Sequence, residues 1–159
     1  MLVVASRRRF IAATLATAVT AVLAPFGAGL VPARAASAPP ADFDGALKSI
    51  LGAAQPVDGL VTLELPEIAD NGNTVPFSVT VESAMTETDY IKAIHLLSTG
   101  NPQAVVATFY LSPASGVGKV AGRMRLAKTQ DVVAVAELSD GRFAVGRRNV
   151  KVTIGGCGG

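Results

Sequence analysis

From Gly59 onward, apolar and polar residues alternate with a period of two, which is the signature of half-buried β-strands. "GLVTLELP" places Val61, Leu63 and Leu65 on one face and Thr62 and Glu64 on the other. "NTVPFSVTVES" does the same with Val75, Phe77, Val79 and Val81, and Pro76 marks an edge or a bulge because it cannot donate to a central ladder. "YIKAIHLL" is ambiguous, since Ile91 and Ile94 are also three apart; it reads as a strand because "STGNPQ" follows as a turn. "AVVATFYL", "KVAGRMRLA", "QDVVAVAEL", "RFAVG" and "NVKVTI" follow, separated by turn signals such as "PASG" and "SDG". In "KVAGRMRLA", Val120, Met124 and Leu126 face one way, and Arg123 and Arg125 face the other. Asp70-Asn71-Gly72-Asn73 reads as a strand-connecting turn in which glycine supplies a positive φ. Before the strands, "DFDGALKSILG" sets Phe43, Leu47, Ile50 and Leu51 at helical spacing behind Asp42 as N-cap. Seven or eight strands spaced by about ten residues predict an all-β chain, an antiparallel β-sandwich of immunoglobulin-like type over residues 42–154 with one short N-terminal helix packed on a sheet.

The first forty residues break this pattern. A basic cluster, Arg7 to Arg9, precedes a mildly apolar stretch of Ala, Thr and Gly that Pro25, Gly27 and Pro32 interrupt. About twenty strongly apolar residues would be needed to span a bilayer, so residues 1–35 read instead as a removable export signal with cleavage after Ala35, in the small-x-small triplet Ala33-Arg34-Ala35. Within it, "SRRRFI" is similar to the twin-arginine signature, with Arg7 and Arg8 as the pair. That route implies export of an already folded protein, or of a folded complex carrying a passenger without its own signal. Residues 36–41 read as a linker. The mature product is expected to be soluble in the periplasm, with no membrane attachment after cleavage.

Export also changes the charge. The whole chain carries 14 basic and 12 acidic residues, but four of the arginines lie in residues 1–35 and no acid does, leaving ten basic residues against twelve acidic. A nucleic-acid partner would require a concentrated basic footprint, and the mature chain has none.

The inventory of catalytic groups is poor. A hydrolase or transferase needs a base beside its nucleophile, and the one histidine, His95, sits inside a strand without a partner motif. One Cys and one His do not compose a metal site. Glu64, Glu67 and Asp70 offer oxygen ligands, but Pro66 breaks the run and no calcium-loop spacing is present. No phosphate loop or dinucleotide fingerprint occurs, and no cofactor is implied.

What remains is the end of the chain, "VKVTIGGCGG". Gly155, Gly156, Gly158 and Gly159 surround Cys157, the single cysteine, which cannot form an internal disulfide. In an oxidising compartment an odd cysteine means an intermolecular bond or a reactive thiol. Glycines make the segment slim and conformationally permissive. At about 3.3–3.6 Å per residue, the tail can carry the thiol roughly 10 Å beyond Ile154 and enter a narrow site of another protein. Nothing in it activates sulfur, since the nearest charge is the terminal carboxylate of Gly159. Cys157 therefore reads as a covalent handle on a swinging arm, residues 155–159, and the chemistry comes from whatever receives it.

With "GGCGG" at the C-terminus, the twin-arginine-like leader and "LPEIADNGNTVPFSVTVES" inside, together with "NPQ" and "RMRLAKTQDVVAVAELSDG", the whole chain resembles the SoxY family, the sulfur-carrier subunits of the thiosulfate-oxidising Sox system. The resemblance implies a non-catalytic carrier that pairs as a heterodimer with a SoxZ-like subunit, itself without a leader and exported alongside. Higher oligomers through a Cys157 disulfide are a further form. It also implies three enzymes as partners: a c-type cytochrome complex that joins thiosulfate oxidatively to Cys157, a manganese-dependent hydrolase that releases sulfate, and a molybdenum–haem enzyme that oxidises the remaining sulfane sulfur.

Other readings stand beside this one. The protein is alternatively an exported structural module dimerised by an intermolecular Cys157 disulfide, or a SoxY-like carrier in a pathway that does not use thiosulfate. A ubiquitin-like carrier, whose terminal Gly-Gly becomes a thiocarboxylate, would need cytoplasmic activation by ATP and a central helix that the pattern does not provide.

Overall fold

The computed structural model describes residues 42–155. These form one α-helix, a single 3-10 turn (Pro113–Ser115) and eight strands: α1 (Phe43–Leu51), β1 (Val61–Glu64), β2 (Ile68–Asn71), β3 (Val75–Val81), β4 (Ile91–Ser98), β5 (Val105–Tyr110), β6 (Lys119–Met124), β7 (Gln130–Leu138) and β8 (Phe143–Ile154). The strands make two sheets, one of three strands in the order β1-β3-β6 and one of five in the order β2-β8-β7-β4-β5. The β-sandwich expected from the periodicity is the fold, and α1 adds a third layer.

Two interior layers follow from which side chains each strand turns inward. Between the sheets lie Leu63, Val75, Phe77, Val79 and Val81 from the small sheet against Ile94, Leu96, Val132, Ala134 and Ala136 from the large one. Phe77 and Phe109 bridge the sheets with ring centroids 6.2 Å apart. On the opposite face of the large sheet, Leu97, Val133 and Val135 pack under the helix with Ala46, Phe43, Leu47 and Ile50. Strands β4 and β7 are thus apolar on both faces and read as nearly continuous hydrophobic runs. Full burial of each such Val, Leu or Ile contributes about 1.5–3 kcal/mol, so this two-sided core dominates the stability of the domain.

The helix begins as the sequence predicts. Asp42 accepts a hydrogen bond from the Gly45 N–H at 2.6 Å, satisfying a donor that the first helical turn leaves free. The chain leaves the helix at Gly52, whose φ of 61° is the left-handed region and whose N–H donates to the Lys48 carbonyl at 2.8 Å. Gly116 and Gly141 close the "PASG" and "SDG" turns, also with positive φ.

Pro76 obeys its own chemistry in an instructive way. Its strand is the central one of the small sheet, but β1 pairs β3 only from Ser78 to Val81, whereas β6 pairs it from Val75 to Thr80. The proline therefore sits where β3 has a neighbour on one side alone, and its missing N–H costs no ladder bond.

The structure corrects three expectations. The sandwich is not wholly antiparallel: β2 pairs β8 in parallel, with Ile68 opposite Lys151, Ala69 opposite Val152 and Asn71 opposite Ile154. Asp70 and Asn71 accordingly belong to a strand, and Gly72 is not among the described glycines with positive φ. The chain turns there with the Asn71 side chain accepting from the Asn73 N–H at 2.9 Å, an Asx turn that does the work expected of glycine. Finally, "RFAVG" and "NVKVTI" are one strand of 12 residues.

Candidate functional site at the base of the C-terminal arm

Strand β8 changes partners along its length, and the change prepares its exit. From Phe143 to Val150 it pairs antiparallel with β7; from Lys151 to Ile154 it pairs in parallel with β2. The last turn of the strand is therefore held on the β2 side up to its final residue, where the Ile154 carbonyl accepts from the Gly72 N–H at 2.7 Å. On the other side β7 has begun only at Gln130, and the preceding segment takes over. The Thr129 hydroxyl accepts from the Val152 N–H at 3.0 Å.

Past Ile154, which is 66% exposed, comes Gly155. A Cβ built there would fall on the carbonyl oxygen of Ala127. The chain thus leaves the domain pressed against the Ala127 peptide, a contact that only glycine permits without displacement. Ala127 is itself fixed. Its N–H donates to Asn101 Oδ1 at 2.9 Å, and Asn101 Nδ2 donates to the Arg125 carbonyl at 2.8 Å. Gln130, 5% exposed, donates to Asn101 Oδ1 at 2.9 Å and to the Lys128 carbonyl at 3.1 Å, and accepts from the Gly100 N–H at 2.6 Å. Gly72 closes the ring, since its carbonyl accepts from the Leu126 N–H at 2.8 Å while its own N–H holds Ile154.

Of the residues singled out from the sequence, the structure describes Gly155 alone within the arm; Gly156, Cys157, Gly158 and Gly159 lie outside the described residues. So do Arg7, Arg8, Ala35 and the linker 36–41. His95 is half-buried on β4, with Nδ1 3.2 Å from the Thr108 hydroxyl, and burial lowers its pKa below the ordinary histidine value against the opposing pull of Glu137. Arg123 and Arg125 are exposed, as expected, and Arg123 donates to the Thr74 hydroxyl at 3.2 Å. Glu64, Glu67 and Asp70 are exposed. Among the described residues no group of three His, Cys, Asp or Glu side chains is placed to hold a metal ion, and no helix is long and apolar enough to cross a membrane. A surface notch of about 400 Å³ opens where β1 leaves β3, lined by Glu64, Leu65, Pro66, Pro76, Phe77 and Ser78. The Ser78 hydroxyl there is buried and has no hydrogen-bond partner, so it is not paired to a base.

The family model of the sulfur oxidation protein SoxY matches residues 47–157, a span that takes in the sandwich and ends on Cys157. The chain belongs to the SoxY family. A solved structure of the sulfur carrier protein SoxY from Chlorobium limicola f thiosulfatophilum is similar to it at 30% identity, covering 70% of this chain and 96% of that one, with a TM-score of 0.58. A superoxide reductase (neelaredoxin) from Ignicoccus hospitalis is similar in fold alone, at 17% identity, TM-score 0.53 and coverage of 59% and 80%. Among curated protein sequences none matches. SoxY membership supports a carrier role in sulfur oxidation alongside other proteins of the Sox system, SoxZ among them, in the periplasm that is the family's general setting.

The surroundings of the arm's root were missed in the sequence. Gln130 was their one visible signal: it occupies the same face as Val132, Ala134 and Ala136, where an uncharged amide must find partners to be buried.

Proposed function

We propose that this protein carries sulfur covalently on Cys157 during periplasmic thiosulfate oxidation and presents each intermediate to a succession of enzymes. The observation that carries the reading is that the SoxY match runs to Cys157, the chain's sole cysteine, three residues past the end of a strand held to its last residue. In the first step the Cys157 thiol loses its proton and its sulfur bonds to the outer sulfur of thiosulfate. Two electrons leave to a c-type cytochrome complex, giving a cysteine S-thiosulfonate. In the second, a manganese-dependent hydrolase adds water across the S–SO3 bond. The sulfonate sulfur departs as sulfate and a persulfide remains on Cys157. A molybdenum–haem enzyme then takes six electrons from that sulfane sulfur while three waters supply its oxygens, leaving a cysteine S-sulfonate, and a last hydrolysis releases a second sulfate and restores the thiol.

The protein's own part is to deliver. The thiolate is the nucleophile in any such exchange, and the tail contributes no cation to stabilise it, so activation belongs to each receiving enzyme. Residues 1–35, with Arg7 and Arg8 as the twin-arginine pair and cleavage after Ala35, direct export together with a SoxZ-like subunit. Residues 36–41 link the signal to the domain.

Replacing Cys157 tests the reading. In a reconstituted system with the partner enzymes, Cys157→Ser abolishes thiosulfate conjugation and leaves the melting temperature and association with the SoxZ-like subunit unchanged. Continued thiosulfate oxidation by the serine variant would overturn the proposal. Loss of assembly alone would favour a structural module joined by a Cys157 disulfide.

A further inference from the structure

We propose that Gly155 is a packing residue, and that Asn101 and Gln130, acting through the Arg125–Thr129 segment, are positioning residues that fix where and in which direction the arm leaves the domain. The inference rests on the carrier reading only in taking Cys157 as the group that is delivered.

Glycine next to a reactive tail is ordinarily read as flexibility. Gly155 does not need glycine for its backbone angle, because the described positive-φ glycines are Gly52, Gly59, Gly116 and Gly141. It needs glycine because the Ala127 carbonyl occupies the place of a Cβ. That carbonyl is held by a short directional chain. Gln130, buried, orients Asn101; Asn101 brackets the segment by accepting from the Ala127 N–H and donating to the Arg125 carbonyl. Thr129 extends the same segment to β8 by accepting from Val152. Opposite, Gly72 ties Ile154 and Leu126 into one loop of bonds. The root of the arm is thus gripped from the β2 side and from the Ala127 side at once. Gly155 thus belongs to the anchored root.

The consequence is kinetic. A thiol on a short tether is offered to a partner's site at an effective concentration set by the tether's length and stiffness. Fixing the root narrows the volume that Cys157 searches and reduces the ordering cost when the arm enters a narrow cleft.

The sole cysteine makes the test direct. A methanethiosulfonate nitroxide is attached to Cys157 of the mature chain in complex with its SoxZ-like subunit. Paramagnetic broadening of backbone amides is then mapped in the wild type, Gly155→Ala and Asn101→Ala. The wild type should give a one-sided footprint centred on the amides around Gly72, Asn101 and Ala127. Both variants should spread that footprint over further faces of the domain and narrow the nitroxide spectrum. Gly155 lies beyond the last strand, so its substitution spares the core even where Asn101→Ala lowers stability. The same footprint and line shape in the wild type and both variants would overturn the proposal, including the case in which Asn101→Ala merely melts earlier. A footprint that responds to the variants in a protein whose Cys157 accepts no sulfur during turnover would uphold the positioning role and remove the carrier reading instead.

Discussion

Replacing Gln130 by leucine should cost the domain about 2 kcal/mol while leaving its fold intact. The side chain is buried and makes three hydrogen bonds, to Asn101, to the Lys128 carbonyl and from the Gly100 N–H. At about 1 kcal/mol net per bond, their removal costs roughly 3 kcal/mol. Leucine is similar in volume and returns about 1 kcal/mol through its added apolar surface. The penalty is partly relieved at Lys128, which is exposed and has access to water, but not at Asn101, whose oxygen also serves Ala127. For a domain of this size, about 4 °C per kcal/mol turns 2 kcal/mol into a fall of roughly 8 °C. With a urea m-value of about 1.5 kcal/mol/M, the midpoint should drop by roughly 1.3 M. Urea and thermal unfolding followed by far-ultraviolet circular dichroism measure both. A loss below about 0.5 kcal/mol, the lower bound for a single bond, would refute the reasoning, because it would mean that water replaces all three partners and that the segment under the arm is not held by this residue.

Other outcomes follow from the same contacts. Leu126 is fully buried and its N–H is bound by Gly72, so Leu126→Ala should lower unfolding free energy by about 2–5 kcal/mol; denaturant titration reading under 1 kcal/mol would place it outside the core. Asp42→Ala should remove about 1 kcal/mol of helix capping, visible as a small drop in melting temperature that Asp42→Ser restores. His95 has its pKa lowered mainly by burial. Below pH 6.5 the unfolded chain therefore takes up a proton before the folded one does, and stability present above that pH is lost as pH falls toward the folded pKa. His95→Gln should flatten the slope between pH 7 and 5, and an unchanged slope would assign it to other groups. Deleting Gly156 shortens the reach by about 3.5 Å and should slow sulfur transfer in a reconstituted assay at unchanged melting temperature; undiminished rates would argue against delivery by reach.

How legible these features were depends on whether one residue or two distant ones specify them. The helix was readable because Asp42, Phe43, Leu47, Ile50 and Leu51 state its cap and its face within ten residues. Strands β1, β3 and β6 were readable because one face of each meets water, which keeps the period of two clean. "YIKAIHLL" was ambiguous for the opposite reason: Ile94 and Leu96 serve the inter-sheet core while Leu97 serves the helix layer, so both parities are apolar. Strand β2 was hidden. Ile68–Asn71 has one buried side chain and ends in turn-forming residues, and its strand character comes from the parallel partner some eighty positions away. "RFAVG" and "NVKVTI" looked like two strands because Gly146, Arg147, Arg148 and Asn149 lie between their apolar ends, yet the backbone runs through them unbroken.

The arm divides in the same manner. That Cys157 is solitary and glycine-flanked is a property of five adjacent letters, open to inspection. That Gly155 rests on Ala127, and that Asn101 and Gln130 hold Ala127 in place, joins four positions spread over fifty-five residues. No local pattern encodes such a contact, although a glutamine on the inward face of β7 advertises that a buried polar group there must be satisfied.

The measurement that bears most directly on a covalent carrier is the intact mass of the protein isolated from the periplasm of thiosulfate-grown cells, before and after reduction, with the modified residue mapped. Reducible additions of sulfur or of a sulfur–sulfonate unit on Cys157 are the predicted result, and they would display the intermediates of the cycle. A bare thiol or a disulfide dimer alone, with no sulfur adduct under turnover, would contradict it.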